Sequence, residues 1–535
     1  MIHEPQRYVV AVDVGTGSAR AGVFSGNGQI HAHASHAIAL ERRGDHIEQD
    51  SEDIWSAVCH AVREAVSASG VASETIEAIA FDATCSLVLR DKADKPLTLS
   101  EKGNWDIIVW MDQRATKEAE DCNKTGSQVL DYVGGAISPQ MEIPKLTWLK
   151  RHRPDLWARL GAAYDLADFL SWRASGSNAR SVCTLTCKWT YLSHSERPWD
   201  EAFFKAIDMA DLRSRTSLPD RATPVGKRVG TLTPNAAREL GLSEKCVVAA
   251  GLIDAHAGAL GTLARELEGE TSSRMALIAG TSNCHMVLSR NPRTVPGVWG
   301  PYKGVIGGAW WLHEGGQTAT GALLDFIVQT NAQAAQLKAP HDEIGTEIVR
   351  RISAGDALDD RMHVIPDFLG NRSPYADPDA TGAMLGLRIE DPVDHMVKLY
   401  WASAVSIAYG TRQIIDRLNT HGYAIDTIAL SGGHAASELL RHLYADVTGC
   451  KLVLAEAPEP VLLGTAMTAA VAGDLFPTLE AAASGMAQSE RTLSADPRQH
   501  ALHNKRYGTF ENWYRPATPA IDGRTAVATV PVGTI

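Results

Sequence analysis

Short apolar runs separated by small polar residues recur along this chain and predict the strands of an α/β fold. The first run covers residues 8–12, and a glycine turn joins it to a second run at residues 19–24. Similar runs predict further strands at residues 30–40, 76–81, 247–251, 275–278, 285–288, 428–430 and 451–454.

Apolar residues at helical spacing predict that helices connect these strands. A helix is expected to open at residues 48–50, and residues 115–180 are expected to be mainly helical. Within that stretch, residues 146–160 have the pattern of one amphipathic piece. Later helices are predicted at residues 392–418, 439–447, 462–472 and 498–515.

The order strand, small turn, strand occurs twice, which predicts two α/β domains of similar plan. The first turn is Gly15-Thr16-Gly17-Ser18 and the second is Gly280-Thr281-Ser282. We place the first domain at residues 1–262 and the second at 263–475, with a less patterned extension at 476–535. Two such domains would place their turns on opposite walls of a central cleft, where a nucleotide can be held from both sides.

The first turn has the composition of a phosphate-binding hairpin. Its two glycines permit positive φ and a close approach of ligand to backbone, and the hydroxyls of Thr16 and Ser18 can join backbone amides around phosphate oxygens. Asp13 lies beside the turn, and a carboxylate there suits a phosphate that carries Mg²⁺. An ordinary tight hairpin explains the same pattern without a ligand.

Composition and charge narrow the class of partner. The 535 residues are 44% apolar and 21% charged with a net charge of −12, and there is no block rich in lysine or arginine. This pattern argues against nucleic acid and membrane as partners. No apolar stretch reaches the roughly 18 residues of a membrane span, and no signal-peptide pattern opens the sequence, so we expect a cytoplasmic protein.

The eight cysteines form no CxxC pair. Cys183 and Cys187 are four residues apart, without a second pair or a histidine at zinc spacing. Free buried thiols in a reducing compartment are therefore expected.

Three common nucleotide-binding signatures are missing from the sequence. It contains no G-x-x-x-x-G-K-[ST], and no H-R-D with D-F-G, which excludes a P-loop enzyme and a protein kinase. The first glycines do not fit G-x-G-x-x-G, and a strand rather than a helix follows them, against a dinucleotide site.

Six segments in order resemble the FGGY carbohydrate kinases, members of the sugar-kinase, actin and Hsp70 ATPase superfamily. They are DVGTGSARAGVF (13–24), GLIDAHAGALGT (251–262), GTSNCHM (280–286), EGGQTATGALLDF (314–326), LGNRSPYADP (369–378) and LSGGHAASELLRHLYADVTG (430–449). The resemblance covers residues 8–475 and implies two actin-like, RNase H-like ATPase domains flanking a cleft, with ATP and Mg²⁺ as cofactors.

Three further segments resemble the pentulose kinases, the ribulokinase branch. They are AFDATCSLVL, CKWTYL and EGGQTATG. Glycerol kinases carry an arginine-glutamate pair at the first of these segments, where this chain has Thr84 and Cys85, which disfavours glycerol as the substrate.

The resemblance assigns the reacting and phosphate-binding groups. Asp254 would be the general base, because a sugar hydroxyl needs an acceptor for its proton, although a helix N-cap is a compatible role. Asp13 would face Mg²⁺. The two glycine turns would bind phosphates, Gly432 and Gly433 would form a flat floor for adenine, and Ser437 would meet its polar edge, the alternative being a plain strand-to-helix turn.

The sugar pocket is expected to contain Lys188 and Glu314, with Thr84, Cys85 and Ser86 lining it. A solvated surface lysine and a core thiol are the ordinary alternatives for Lys188 and Cys85. For Asp112 and Arg114 two alternatives stay open, a role near the site and a simple salt bridge. The histidines at 256 and 285 are expected to be packing residues. The tryptophans at 310 and 311 are expected in the core or at an interface rather than as a platform for the sugar.

The resemblance implies transfer of the γ-phosphoryl group of ATP to the 5-hydroxyl of a ketopentose, D-ribulose first. L-ribulose, D-xylulose and a pentitol such as ribitol are alternatives on the same fold. A noncatalytic ATPase scaffold of the actin or Hsp70 type is a remote one. A homodimer would be usual for the family.

Overall fold

A computed structural model describes residues 6–100, 103–267, 269, 273–356, 358, 361–455 and 459–514. Its strands form two large mixed sheets and two smaller ones. The strands are β1 Tyr8–Val14, β2 Ser18–Ser25, β3 Ile30–Ala37, β4 Glu41–Arg43, β5 His46–Gln49, β6 Ile76–Ala83, β7 Leu87–Asp91, β8 Ile107–Ile108, β9 Leu160–Asp165, β10 Arg228–Thr231, β11 Val247–Ala249, β12 Leu252–Ile253, β13 Arg274–Ala279, β14 Asn283–Ser289, β15 Trp299–Lys303, β16 Trp311–Gln317, β17 His363–Ile365, β18 Ala383–Leu385, β19 Thr427–Ser431, β20 Lys451–Ala455 and β21 Glu490–Leu493.

Helices cover the sheets and connect them. The α-helices are α1 Ser51–Ser69, α2 Thr116–Asn123, α3 Glu142–His152, α4 Pro154–Arg159, α5 Leu166–Ser175, α6 Val182–Lys188, α7 Glu201–Ala206, α8 Leu212–Arg215, α9 Pro234–Leu240, α10 Asp254–Thr262, α11 Gly321–Thr330, α12 Pro340–Ser353, α13 Pro392–Thr420, α14 Glu438–Thr448, α15 Pro460–Ala472, α16 Leu479–Met486 and α17 Pro497–Tyr514.

The first large sheet is centred on β1. Its order is β10-β11-β6-β1-β2-β3, and β12 also pairs with β6. The strand β1 runs antiparallel to β2 and parallel to β6. Successive residues of β1 enter different cores, Val9 in one and Val10 in the other, so the strand is apolar throughout because both of its faces are covered.

The second large sheet repeats this plan. Its order is β15-β16-β14-β13-β19-β20-β21, with β13 antiparallel to β14 and parallel to β19. Each sheet therefore has a hairpin whose first strand lies beside a parallel strand. The prediction of two α/β units with one plan is confirmed, while the proposed division points at residues 262 and 475 stay predictions.

Two helices, α10 and α15, lie between the large sheets. The helix α10 follows β12 of the first sheet and also packs on β13 of the second. In the opposite direction, α15 follows β20 of the second sheet and packs on β1 and β6 of the first. The two halves are thus joined by a crossing in which each contributes one helix.

Local sequence signals set several helix ends. The carboxylate of Asp50 accepts hydrogen bonds from the backbone N–H groups of Glu52 and Asp53, which caps α1. At the other end, Gly70 takes a left-handed conformation with φ 68°. The helix predicted to open at residues 48–50 therefore begins after Asp50, and residues 46–49 form β5 instead.

The structure corrects one further expectation and adds detail to two others. Residues 146–160 are two helices rather than one piece, because Pro154 lacks the N–H group that would continue α3. The segment 115–180 is mainly helical, as expected, with β9 as a short strand inside it. In the extension, β21 pairs with β20 of the second sheet, and α17 confirms the predicted last helix up to Tyr514, whereas residue 515 lies outside the described residues.

Candidate active site

Three carboxylates lie at the carboxyl ends of parallel strands in the first sheet. Asp13 is on β1, Asp82 is opposite it on β6, and Asp254 directly follows β12, which pairs with β6. This edge of a parallel sheet is where ligands bind in open α/β folds. The sequence reasoning found Asp13 and Asp254 but missed Asp82, which stands inside the AFDAT segment.

Asp13 is buried and its carboxylate is paired with the guanidinium group of Arg20. Arg20 also contacts Glu459 at 2.8 Å, just before α15. Asp82 accepts a hydrogen bond from the hydroxyl of Thr465 in α15, and its Oδ1 atom is buried without a hydrogen-bond partner. Burial and the neighbouring Asp13 raise the pKa of Asp82 well above its ordinary value.

Asp254 is the first residue of α10. Its Oδ1 atom accepts a hydrogen bond from the backbone N–H of Ala255 at 2.7 Å. Burial and the negative charge of Asp13 raise the pKa of Asp254 to about 6, although the bond from Ala255 and the charge of His256 act against the shift. The carboxyl group is therefore a stronger base than an ordinary aspartate, as general-base chemistry near neutral pH requires.

The first glycine turn joins β1 to β2 as predicted, but its glycines do not have the positive φ that the sequence analysis gave as one reason for them. Gly15 and Gly17 are not among the described glycines with positive φ. Their backbone conformation therefore does not require glycine. A Cβ atom on Gly17 would meet nothing within 4 Å, and one on Gly15 would meet only the Ser18 carbonyl oxygen at 3.8 Å. The hydroxyl of Thr16 accepts a hydrogen bond from the indole of Trp110 at 3.0 Å. The turn thus leaves open space beside its backbone.

The second glycine turn, residues 280–282, packs against the start of α11. The Gly280 carbonyl accepts from the N–H of Gly321 at 2.9 Å, and the Thr281 carbonyl accepts from Thr320 at 3.1 Å. These bonds fix the carbonyl side of the turn. Open space remains at Gly280, where an added Cβ would meet nothing within 4 Å.

The Gly432-Gly433 pair stands next to this second turn. Gly432 has φ 84°, and a Cβ atom there would lie 2.4 Å from the carbonyl oxygen of Ala279, so it must be glycine for the fold. Around Gly433 the space is open. The Ser437 hydroxyl accepts from the N–H of Leu440 at 3.3 Å and caps α14, the structural alternative that the sequence left open.

Lys188 and Glu314 are both buried, and their charges act on one another. Burial lowers the pKa of Lys188, but Cys85 and Glu314 outweigh it and hold the pKa above its ordinary value. Burial likewise raises the pKa of Glu314, yet Lys188, His256 and Arg372 hold it below the ordinary value. The ammonium group also lies 4.3 Å from the ring centroid of Trp299. The solvated surface alternative for Lys188 is thereby excluded.

The turn at residues 84–86 is held by its own hydrogen bonds. The hydroxyls of Thr84 and Ser86 are 3.0 Å apart, and Ser86 also accepts from the backbone N–H of Trp110. Burial raises the pKa of Cys85 to about 12, although the charge of Lys188 acts against this. Cys85 is therefore a neutral thiol beside the lysine, while Thr84 and Ser86 shape the turn.

Three residues near this group were not predicted. Arg372 extends to Gln140, 3.2 Å from its Oε1 atom, and its guanidinium lies 5.1 Å from the ring of Trp299. A Cβ on Gly316 would lie 2.5 Å from Arg372, so the glycine makes room for the arginine. Arg372 stands in the LGNRSPYADP segment, which was the available signal, whereas nothing in the sequence singled out Gln140 or Trp299.

His256 was expected to be a packing residue, and the structure gives it charged surroundings. Its Nε2 atom lies 3.6 Å from the Oε2 atom of Glu314, and Cys183 is 3.5 Å from its Nδ1 atom. The expectation for the other aromatic groups is confirmed, since His285, Trp310 and Trp311 are buried.

The sequence allowed Arg114 either a role in the site or a salt bridge within the fold, and the structure shows the salt bridge. Its guanidinium group donates to Asp112 at 2.8 Å and to Glu48 at 2.9 Å, and it lies 5.0 Å from the ring of Trp148. These contacts use the arginine within the fold.

The site combines a carboxylate of raised basicity, Asp254, with two buried side chains of opposite charge, Lys188 and Glu314. The charges of Asp13 and, more weakly, Glu314 both raise the pKa of Asp254. This set can deprotonate an alcohol whose other hydroxyls are held by charged side chains. Along the described ranges, no helix combines the length and apolar character needed to cross a bilayer.

Comparisons with known proteins agree along most of the chain. Residues 8–261 match the family model for the N-terminal domain of the FGGY family of carbohydrate kinases, and residues 275–473 match that for its C-terminal domain. A human protein named FGGY carbohydrate kinase domain-containing protein is 38% identical over 532 residues, which cover 95% of this chain and 96% of the relative. A protein of Saccharomyces cerevisiae named D-ribulokinase is 36% identical over 519 residues, 88% of this chain and 72% of the relative.

Solved structures share the fold. The xylulose kinase of Rhodospirillum rubrum superposes with a TM-score of 0.78 at 20% identity, over 95% of this chain and 99% of that one. The gluconate kinase of Lactobacillus acidophilus gives 0.80 at 19% identity, over 96% and 98%. Both halves of the sequence, full-length relatives and the fold lead to one conclusion: this chain is an ATP-dependent phosphotransferase that belongs to the FGGY family of carbohydrate kinases.

Proposed function

We propose that this kinase transfers the γ-phosphoryl group of ATP to the 5-hydroxyl of a ketopentose, D-ribulose, giving D-ribulose 5-phosphate. The yeast relative named D-ribulokinase supports the choice of sugar, because its identity of 36% extends over most of this chain. Relatives named ribulokinase, at 27% identity, support the pentulose class.

The observation that carries the proposal is that Lys188 and Glu314 are buried and shift each other's pKa without forming a direct ion pair, although His256 Nε2 lies 3.6 Å from Glu314 Oε2. No ion pair within 4.0 Å joins Lys188 to Glu314 in the described part of the chain, and the Oε2 atom of Glu314 is buried without a hydrogen-bond partner. A buried polar group left unsatisfied costs about 1–3 kcal/mol. A polyol, which offers several donors and acceptors at once, would satisfy both groups.

Asp254 supplies the base in this proposal. It accepts the proton of the 5-hydroxyl as the bond from that oxygen to the γ-phosphorus forms and the bond to the β-phosphate oxygen breaks, releasing ADP. A positioned base of this kind contributes about 10²–10⁴-fold to the rate. Its pKa of about 6 leaves it mostly deprotonated at neutral pH and still basic enough to accept the proton.

The nucleotide is proposed to lie between the two glycine turns. The open space at Gly17, Gly280 and Gly433 supports this, since a side chain there would fill the room that phosphates or adenine need. Thr16 and Ser18 belong to the first turn, and Thr281 and Ser282 to the second. Ser437 keeps only a secondary part in our proposal, because it already caps α14.

The carboxylates fit a magnesium ion in the donor atoms that they offer. Asp13 and the unpartnered Oδ1 atom of Asp82 are hard oxygen ligands at one sheet edge. Mg²⁺, when bound, would neutralise charge on the phosphates of ATP. Arg20, which pairs with Asp13 here, would keep that carboxylate oriented.

The test is an ADP-release assay over a panel of D-ribulose, L-ribulose, D-xylulose and ribitol at matched concentrations. We expect the highest kcat/KM with D-ribulose, and a product whose phosphate is on carbon 5 by phosphorus NMR. The Asp254→Asn variant and a reaction without sugar are the controls. A preference for another sugar would replace D-ribulose within the same reaction, and ATP turnover that no sugar stimulates would contradict the kinase proposal itself.

A further inference from the structure

Two cysteines and a histidine form a buried cluster beside the proposed sugar pocket. Cys183 and Cys187 are one turn apart on α6, so both sulfurs project from the same face. His256 approaches from the first turn of α10, with its Nδ1 atom 3.5 Å from the sulfur of Cys183 and its Nε2 atom 3.9 Å from that of Cys187. One donor atom from each residue can be chosen so that all three lie within 4.8 Å of one another.

The 3.5 Å between the Cys183 sulfur and His256 Nδ1 matches a tetrahedral zinc site, and the 4.8 Å limit on all three donors leaves about an ångström for them to close on a metal. Zinc bonds of about 2.3 Å to sulfur and 2.0–2.1 Å to nitrogen place a sulfur and a nitrogen ligand about 3.5 Å apart, and two sulfurs about 3.8 Å apart. We propose that Cys183, Cys187 and His256 Nδ1 form a binding site for a thiophilic divalent cation of the zinc class. Binding would release the thiol protons to solvent, because thiolates are the metal ligands.

The surroundings of His256 favour coordination through Nδ1. Its other nitrogen faces Glu314 at 3.6 Å, and that carboxylate oxygen has no hydrogen-bond partner. A metal-bound histidine commonly donates its second N–H group to a carboxylate, which fixes the tautomer and strengthens the ligand. Glu314 is placed to accept that bond after a shift of a few tenths of an ångström.

The sulfur of Cys183 lies beside polar groups that can stabilise a metal-bound thiolate. The backbone N–H of Ile253 donates to this sulfur at 3.5 Å. Lys188 opposes cation binding, because its positive charge follows Cys187 directly on α6. In the metal-bound state the negative charges of two thiolates would offset it.

Sequence spacing could not reveal this site, because His256 follows Cys187 by 69 residues. The three donors meet only because β12 brings the start of α10 against α6. Within the described ranges, this is the only group of three such side chains whose donor atoms lie close enough to hold a metal.

Occupation of the site has a consequence for catalysis, which, unlike the site itself, rests on the proposed function. A bound cation would engage His256 and, through it, the Glu314 carboxylate, and it would add positive charge next to Lys188. We expect it to raise the KM for the sugar while leaving the KM for ATP near its starting value.

The site is tested on the untagged, reduced and chelator-stripped full chain with Co²⁺ as a spectroscopic probe. We expect one equivalent of Co²⁺ to give a thiolate-to-cobalt charge-transfer band in the near ultraviolet, and one equivalent of Zn²⁺ to remove it. Cys183→Ser and Cys187→Ser should each lose the band. The control Cys246→Ser, which changes another buried thiol of the same half, should keep it.

Absence of the band in the wild-type chain would overturn the proposal, and so would an undiminished band in both cysteine variants. Should a cysteine variant fail to fold, as judged by circular dichroism, His256→Asn removes a ligand without altering α6 and must also abolish the band. Glu314→Gln should weaken Zn²⁺ affinity about 10–100-fold as an outer-shell change. A sugar KM that ignores Zn²⁺, with the band intact, would contradict the catalytic consequence and leave the metal site standing.

Discussion

Gly464 of α15 lies so close to Ala257 of α10 that a Cβ atom on the glycine would stand 1.9 Å from the alanine carbonyl oxygen. The reciprocal contact is equally tight, since a Cβ on Gly261 would be 2.0 Å from the carbonyl oxygen of Pro460. The two helices that join the large sheets therefore approach each other through glycines, and the relation between the halves depends on this crossing.

Replacing Gly464 with alanine should force the crossing apart. The added methyl group would meet backbone atoms of Ala257 and Gly261, which cannot rotate away as a flexible side chain could. We therefore expect a loss of about 1–3 kcal/mol in the free energy of unfolding, as for other overpacked sites. Urea denaturation measures it. Gly508→Ala is the matched control: that helical glycine of α17 has nothing within 4 Å of its Cβ position, and its replacement should stabilise by about 0.5–1 kcal/mol. Equal effects of the two variants would contradict the crossing argument.

Arg114→Met should destabilise the protein without altering substrate binding. The substitution leaves Asp112 and Glu48 buried without their shared cation, and removing one partner of a buried ion pair costs about 3–5 kcal/mol. Thermal unfolding measures the loss, and steady-state kinetics below the melting temperature should return an unchanged sugar KM. The exposed Arg350→Met is the control and should alter neither. A raised sugar KM with normal stability would move Arg114 into the site.

Sequence patterns predicted the parts of the fold that carry their own signal. The β1–β2 and β13–β14 hairpins and the long helix α13 show continuous apolar runs or helical spacing. The missed elements depend on distant partners: β8 has two residues and exists because it pairs with β5 and β7. In β21, polar residues give no strand pattern, and pairing with β20 alone defines it.

The site residues likewise include some that the sequence could predict and some that it could not. Asp254, Lys188 and Glu314 stand in recognisable segments, and the structure brings their charges into mutual influence. Trp299 lies outside every segment that the sequence singled out, and it reaches Lys188 only through the packing of β15 beside α6. Gly17 was chosen because glycine permits positive φ and a close approach of ligand to backbone. Its φ is not positive, whereas the space beside it is open, and its phosphate-binding role stays a prediction.

Lys188→Met should raise the KM for the sugar far more than the KM for ATP. The change removes the ammonium group, and with it the donor and the cation over the ring of Trp299, while keeping an unbranched side chain of similar length. A hydrogen bond to a charged group is worth about 1.5–3 kcal/mol, or roughly 10–100-fold in KM. The matched control is Lys303→Met, another lysine that lies over a tryptophan, 5.5 Å from the ring of Trp311. Similar increases for both substrates would argue against a sugar-binding lysine.

Asp254→Asn should lower kcat about 10²–10⁴-fold with ATP affinity retained, because the amide keeps the size of the side chain but cannot accept the proton. Single-turnover kinetics and nucleotide titration separate the two quantities. Asp342→Asn changes another first-turn aspartate, at the start of the exposed helix α12, and should leave kcat unchanged. A variant with near wild-type kcat would remove Asp254 from the base role.

The pH profile of kcat/KM should show an acid limb that belongs to Asp254. Only the deprotonated carboxylate accepts a proton, so activity should fall as pH drops through the pKa of about 6 that burial and Asp13 produce. An ordinary aspartate would place this limb near pH 4. The profile is measured with D-ribulose from roughly pH 3.5 to 8, a range that includes both the ordinary aspartate pKa and the raised one. The residual activity of Asp254→Asn should lack the limb. A limb near 4 would mean that the carboxylate is solvated in the working enzyme, and one that persists in Asp254→Asn would assign it to another group.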